Sequence, residues 1–207
     1  MLDYCRNKER GFTLVELLIS IAIMSIILGV VLFNQSTYTE RAALSALSDE
    51  ISLMVSQAQV YSTGVREFSV GSNIFSASYG LTFSLLSSGS PNAYLYFADR
   101  NGNEIYDGTW SCQTGGAEEC LNRIDIFRGN YIESLCVVRT SGADLCNVGR
   151  VDISFNRPIL EAHFKFFNNG GNEFNPANMK GVKIQVKSSN DFTKSITIYS
   201  SGQISVQ

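Results

Sequence analysis

Hydrophobic patterning along the chain passes through three regimes. Residues 12–33, FTLVELLISIAIMSIILGVVLF, are apolar almost without interruption and carry a single charge, Glu16. As a helix this run spans roughly 33 Å, the thickness of a bilayer's hydrocarbon core, so it predicts a membrane-spanning helix. Beyond it the apolar positions become periodic: Leu44, Leu47, Ile51, Met54, Ala58 and Tyr61 recur at spacings of three and four, one stripe of an amphipathic helix. Glu40, Arg41, Asp49, Glu50 and Gln57 occupy the opposite face, and Gly64 after Thr63 supplies a stop. A helix over residues 12–63 would be roughly 78 Å long. The stripe covers too few heptads for a separate zipper and reads as packing against a sheet of the same protein.

From residue 65 the pattern shifts to short segments rich in Val, Ile, Phe and Tyr, separated by Gly, Asn and Ser. These predict strands at 65–70, 79–86, 94–98, 134–139, 151–155, 162–167, 182–187, 196–199 and 204–206. Alternation is clearest where Val182, Ile184 and Val186 face a core while Lys183, Gln185 and Lys187 face water. Residues 168–178, NNGGNEFNPAN, have the composition of an exposed loop and hairpin tip. The expected fold is α+β, a long N-terminal membrane-spanning α-helix packed by its C-terminal half on a globular antiparallel β head. The expected divisions are residues 1–11, 12–33, 34–64 and 65–207, with no repeat and no second domain.

Composition narrows the function classes. The chain has 207 residues, 17% charged and 11% aromatic, with a net charge of -3. That excludes a disordered chain and a polycation built to neutralise phosphates. Arg6, Lys8 and Arg10 sit beside the apolar run, which keeps the N-terminus cytoplasmic and sends the head outward. The long run, followed by polar Asn34, Gln35 and Ser36, argues against a cleaved secretory signal. His163 alone, with no recognisable Ser or Cys partner and no phosphate loop, gives no basis for nucleophilic catalysis, so no enzyme is expected.

Glu16 is the anomaly, because a carboxylate within an apolar helix costs on the order of 2.5–3.5 kcal/mol on insertion scales and calls for a partner or a role. Position alone also permits a side chain that snorkels to the headgroups. Its context, Lys8-Glu9-Arg10-Gly11-Phe12-Thr13-Leu14-Val15-Glu16, resembles the processing site of type IV pilins and type II secretion pseudopilins. The resemblance implies that prepilin peptidase cuts between Gly11 and Phe12, removes residues 1–11 as a leader and methylates the Phe12 amine. It implies the pilin fold, residence in a bacterial inner membrane with the head in the periplasm or another extracytoplasmic space, and contact with membrane lipid before assembly. It also implies an assembly platform in that membrane, and partners that are other pilins or pseudopilins in a fibre. Within the fibre the Glu16 carboxylate can pair with a neighbour's Phe12 amine, each lowering the other's desolvation cost. Many major pilins have a helix-kinking Pro where this chain has Phe33, with Gly29 nearby. The long helix, the β head and the terminal SITIYSSGQISVQ further resemble the H-type minor pseudopilins and FimT-like minor pilins, a GspH/FimT-like group.

Three candidate sites lie in the head. Cys112, Cys120, Cys136 and Cys146 are even in number, which in an oxidising compartment suggests two disulfides, while Cys5 falls in the leader. Of three pairings, local closure favours Cys112 with Cys120 and Cys136 with Cys146. A zinc site would lack a CxxC pair. Asp99, Asn101, Asn103 and Asp107, with the Ile105 carbonyl, follow the ligand spacing of a Ca2+ loop, but Glu104 takes the usual Gly position and Trp110 that of the bidentate Glu. Glu118 or Glu119 completes such a shell only if the Cys112 loop folds back, and the alternative is a polar turn. Finally, Lys180, Lys183, Lys187 and Lys194 lie in a C-terminal region with an excess of positive charge, suggesting a strip that tracks DNA phosphates. Against this, a chain starting at Phe12 has 13 Lys+Arg and 17 Asp+Glu.

The function these features support is a minor pilin or pseudopilin, a structural subunit that inserts into a fibre and helps initiate or cap it. The alternatives are a DNA-binding minor pilin for DNA uptake and a single-pass receptor that keeps its leader.

Overall fold

The computed structural model describes residues 11–64, 77–113, 119–158 and 161–207. The strand expected at 65–70 lies outside them, as do the leader residues before Gly11. Among the described residues one helix, α1 (Leu14–Thr63), precedes eleven strands: β1 (Ser78–Ser84), β2 (Ser90–Asp99), β3 (Cys120–Asp125), β4 (Tyr131–Arg139), β5 (Leu145–Val148), β6 (Arg150–Phe155), β7 (Ala162–Phe167), β8 (Glu173–Phe174), β9 (Met179–Lys187), β10 (Thr193–Tyr199) and β11 (Ile204–Val206). All ladders among them are antiparallel, giving the expected α+β class. Contacts divide the chain into two units, Met1–Thr39 and Glu40–Gln207.

In the second unit the strands form a six-stranded sheet, order β3-β2-β1-β6-β7-β8, and a five-stranded sheet, order β11-β10-β9-β4-β5. The inward faces of both and the buried stripe of α1 share one core, in which Leu44, Leu47, Ile51, Val55 and Ala58 meet Tyr79, Phe83, Tyr94, Ile153, Leu135, Ile184 and Ile196. The stripe turns at Val55, which is fully buried, while Met54 is only partly so. A strict alternation of three and four therefore misplaces one position, since a helix of 3.6 residues per turn drifts against a 3.5 repeat. Polar contacts anchor the same stretch of helix: Asn190 Nδ2 donates to Glu40 Oε1 at 2.6 Å, Lys194 Nζ to Ser45 Oγ at 2.9 Å and Gln59 Nε2 to the Gly202 carbonyl at 2.6 Å. Arg41 stacks 4.4 Å from the centre of the Phe192 ring.

Strands β3, β5 and β8 are the ones the sequence pattern does not announce. Residues 120–125 read Cys-Leu-Asn-Arg-Ile-Asp, with no apolar alternation, and pair with β2 across a register shift. β8 sits inside the segment expected to be only loop, two residues long on the edge of its sheet. Elsewhere the predicted strands are present with ends moved by a few residues.

Candidate functional site

Two places carry chemistry, the start of α1 and the crossover between β2 and β3. At the first, Thr13 caps the helix: its carbonyl accepts the Leu17 N–H at 3.2 Å and its Oγ1 accepts the Glu16 N–H at 3.3 Å. Glu16 lies in the first turn, so Thr13-Leu14-Val15-Glu16 has the spacing of a capping box, and the carboxylate stands where the helix's unpaired N–H groups concentrate positive potential. This TxxE pattern is a second reason for a carboxylate at residue 16, and it was legible in the sequence beside the processing signature.

Apart from Glu16 and the Ser20 and Ser25 hydroxyls, which donate to carbonyls of the helix itself, the surface of this segment is apolar all round. Phe12 is 80% exposed, and Leu14, Leu18, Ile19, Ile23, Ile27 and Val31 all stand open. No residue of its most apolar stretch is buried within the chain, and α1 is long and apolar enough to cross a membrane. Such a surface is stable only against lipid or other apolar helices.

At the crossover the disulfides Cys112–Cys120 and Cys136–Cys146 are formed, with Cα separations of 5.3 and 4.0 Å. The first staples the loop between β2 and β3 against the outer face of the six-stranded sheet, where Leu95, Phe97, Tyr106 and Cys120 form a second small core. Gly80 makes room for it, since a Cβ there would sit 2.9 Å from the Phe97 ring and 2.2 Å from the Ile153 carbonyl oxygen.

The oxygens of the Ca2+-like spacing are turned to the loop's own amides. Buried Asp99 accepts the Gly102 N–H at 2.7 Å and the Glu104 N–H at 2.8 Å. Asn101 Oδ1 accepts Asn103 N–H and Asn103 Oδ1 accepts Ile105 N–H, while both amide groups donate to Asp107 Oδ2 at 2.7 and 2.8 Å. Glu104, at the usual Gly position, adopts a φ of 65°. Glu119 does fold back, accepting the Arg100 N–H at 3.1 Å and the Asp107 N–H at 3.0 Å. Among the described residues no three His, Cys, Asp or Glu side chains lie close enough together to hold a metal ion. Glu118 is outside the described residues.

The sequence reading missed Asp152 and Arg150. Asp152 is fully buried on β6, where it takes the Arg150 guanidinium at 2.8 and 2.5 Å and the Tyr106 N–H at 3.0 Å. Arg150 also donates to the Tyr106 carbonyl at 2.6 Å, so both main-chain polar groups of that loop residue are held from β6. Burial pushes the Asp152 carboxyl above the usual carboxylate range, against the pull of Arg150. Burial likewise raises Glu119, helped by the charges of Asp99 and Asp107 and opposed by its two amide donors. Nothing in an alternating strand such as Arg-Val-Asp-Ile-Ser-Phe signals that its polar face will be covered.

The four lysines do not make one strip. Lys183 pairs with Asp144, and Lys187 with Glu133 at 3.1 Å and Asp191 at 2.9 Å. Those two carboxylates hold the Lys187 ammonium above its ordinary value, Asp191 more than Glu133. Lys194 stands opposite Val186 and reaches α1 on the other face of the sheet, and Lys180 lies 5.1 Å from the Tyr199 ring centre. Lys194, expected only to flank the strip, belongs to β10 itself, which begins at Thr193, and its register with β9 sets it on the face of Val186.

Residues 6–32 match the family described as Prokaryotic N-terminal methylation motif. The match covers the basic residues before Gly11, the Gly11-Phe12 junction, Glu16 and most of the apolar run, and it supports a type IV pilin-like or pseudopilin protein. Comparison with characterised proteins and with solved structures returned no match.

Proposed function

We propose that the chain is a minor pilin or pseudopilin of GspH/FimT-like type, a non-enzymatic subunit that enters a helical fibre after removal of residues 1–11 and helps initiate or cap it. The observation that carries this reading is Glu16, the one charge in the exposed apolar stretch that opens α1, set in its first turn directly after a methylation-motif junction. Cutting at Gly11-Phe12 creates an amine four residues from that carboxylate. In a stack of such helices the Glu16 of one subunit and the Phe12 amine of the next offset each other's desolvation. The apolar surface around them supplies the non-directional part of the association. DNA uptake gains no support from the head, because Lys183 and Lys187 are each answered by a carboxylate.

The N-terminal peptide of fibre-associated protein, read by mass spectrometry, should begin at methylated Phe12; recovery of only Met1 chains from fibres would overturn the reading. Glu16→Ala should leave membrane insertion intact and lower the fraction of protein recovered in sheared fibres.

A further inference from the structure

Among the described residues, the outer edge of β7 is covered for only part of its length. β8 pairs with it only at Phe166–Phe174 and Phe167–Glu173. The Asn168 N–H donates to the Asn172 carbonyl and the Ala162 N–H to the Ser200 carbonyl, both at 2.9 Å, so even-numbered residues of β7 direct their main-chain groups outward. Phe164 lies between them, and its N–H and carbonyl have no backbone partner on that side among the described residues. The reason is in the sequence. Continuing the register of Phe166 with Phe174 would place Pro176 opposite Phe164, and a proline has no N–H to give. The chain therefore peels away after β8 and leaves a notch.

The notch is a cavity of about 350 Å³ whose lining includes Phe164, Phe174 and Met179. Three carboxylates, Glu104, Glu161 and Glu173, stand around it against one lysine, Lys165. Lys165 is shared between Glu173 at 3.5 Å and Glu104 at 4.0 Å, and Glu104 also meets His163 Nδ1 at 2.9 Å. Glu161 has no ion-pair partner among the described residues. An apolar floor, the main-chain groups of Phe164 without a backbone partner among the described residues and an acidic rim together specify an occupant: extended, able to pair main chain to main chain, and basic.

We propose that this notch is a docking site for an extended polypeptide segment carrying lysine or arginine, which lies as a short strand beside Phe164 and bonds to its N–H and carbonyl. Main-chain pairing supplies the affinity, and Glu161 and Glu173 select basic side chains. A nucleic acid is excluded by the same rim.

The test uses full-length protein in detergent micelles and the fluorescein-labelled peptide acetyl-Thr-Lys-Val-Lys-Thr-amide, followed by anisotropy. Saturable binding is expected. Methylating the valine nitrogen keeps charge and side chains but removes one strand donor, and should weaken binding by about tenfold. Glu161→Gln with Glu173→Gln, at two exposed positions, should weaken it several-fold and flatten its dependence on salt. Equal affinity for the methylated peptide, unchanged binding to the double variant, or preference for a single-stranded oligonucleotide would each overturn the proposal, as would no saturation by about 1 mM peptide.

Discussion

The two sheets of the head treat their outer faces in opposite ways. On the six-stranded sheet the β2–β3 crossover lies over Leu95 and Phe97, so β1 and β2 are buried on both sides and their burial loses the period of two. On the five-stranded sheet β9 keeps that period, with Val182, Ile184 and Val186 inside and Lys183, Gln185 and Lys187 outside. Charge follows the same division. Asp152 is withdrawn from water and must have Arg150, whereas Lys187 meets Glu133 and Asp191 in solvent, where attraction and hydration nearly cancel. An ion pair therefore positions a loop on one face and merely decorates the other.

The sharpest break of this contrast is Asp152→Ala. Arg150 and the Tyr106 N–H would lose a shared acceptor in a dry site, and the expected loss is about 3–5 kcal/mol in denaturant unfolding. A loss under about 1 kcal/mol would mean that water reaches the pair and that the two faces are alike. The disulfides come next, and they isolate burial from chain entropy. Their sequence separations, 8 and 10, are similar, so the entropic model gives each about 2–3 kcal/mol. Cys112→Ser with Cys120→Ser should nevertheless cost more than Cys136→Ser with Cys146→Ser, because only the first pair holds the loop over Leu95 and Phe97. Equal losses would assign the crossover no share in covering the sheet.

A smaller effect separates the faces by pH. Glu119 keeps its proton more tightly in the folded than in the unfolded chain, because burial raises its pKa above the ordinary value of 4.5. Its contribution therefore favours folding at low pH and declines as pH rises from that ordinary value through the raised one. Unfolding free energies of the wild type and Glu119→Gln, compared across this window, should show the wild type losing ground as pH rises. A wild type that instead gains stability over Glu119→Gln as pH rises would show that the Arg100 and Asp107 amides outweigh burial.

What the sequence revealed follows the same line between local and non-local causes. The apolar run, the stripe of α1, the Gly11-Phe12 junction and the alternation of β9 are periodic or adjacent, so they could be read directly. The capping role of Thr13 was equally local and needed only the TxxE spacing. β3 could not be read because Arg123 and Asp125 bond to each other at 2.9 Å on an edge strand with little to bury. Asp152 could not be read because what covers it is Tyr106, 46 residues away. Nor does the Asp99–Asp107 spacing show that its oxygens accept amides of their own loop, to which Glu119 and Asp152 also bond.

The smallest expected effect tests the solvated face. Lys183 stands on the water side of β9 with Asp144 as its partner, and its side chain keeps 28% of its surface exposed. Lys183→Met removes the charge while keeping an unbranched stem over the sheet, so packing is largely retained. The unfolding free energy should fall by no more than about 1 kcal/mol, and raising salt should shrink even that difference. Asp144→Asn should give a similar small value, and the double variant should show little further loss, because the two single changes remove the same interaction. The pair also bears on nucleic acid. If Lys183 is neutralised by Asp144, Lys183→Met leaves any mobility shift of DNA at low salt unchanged, whereas Asp144→Asn frees a cation and strengthens one. A DNA shift abolished by Lys183→Met alone would show the lysine acting on phosphate despite its partner, and this face would then do more than keep the sheet wet.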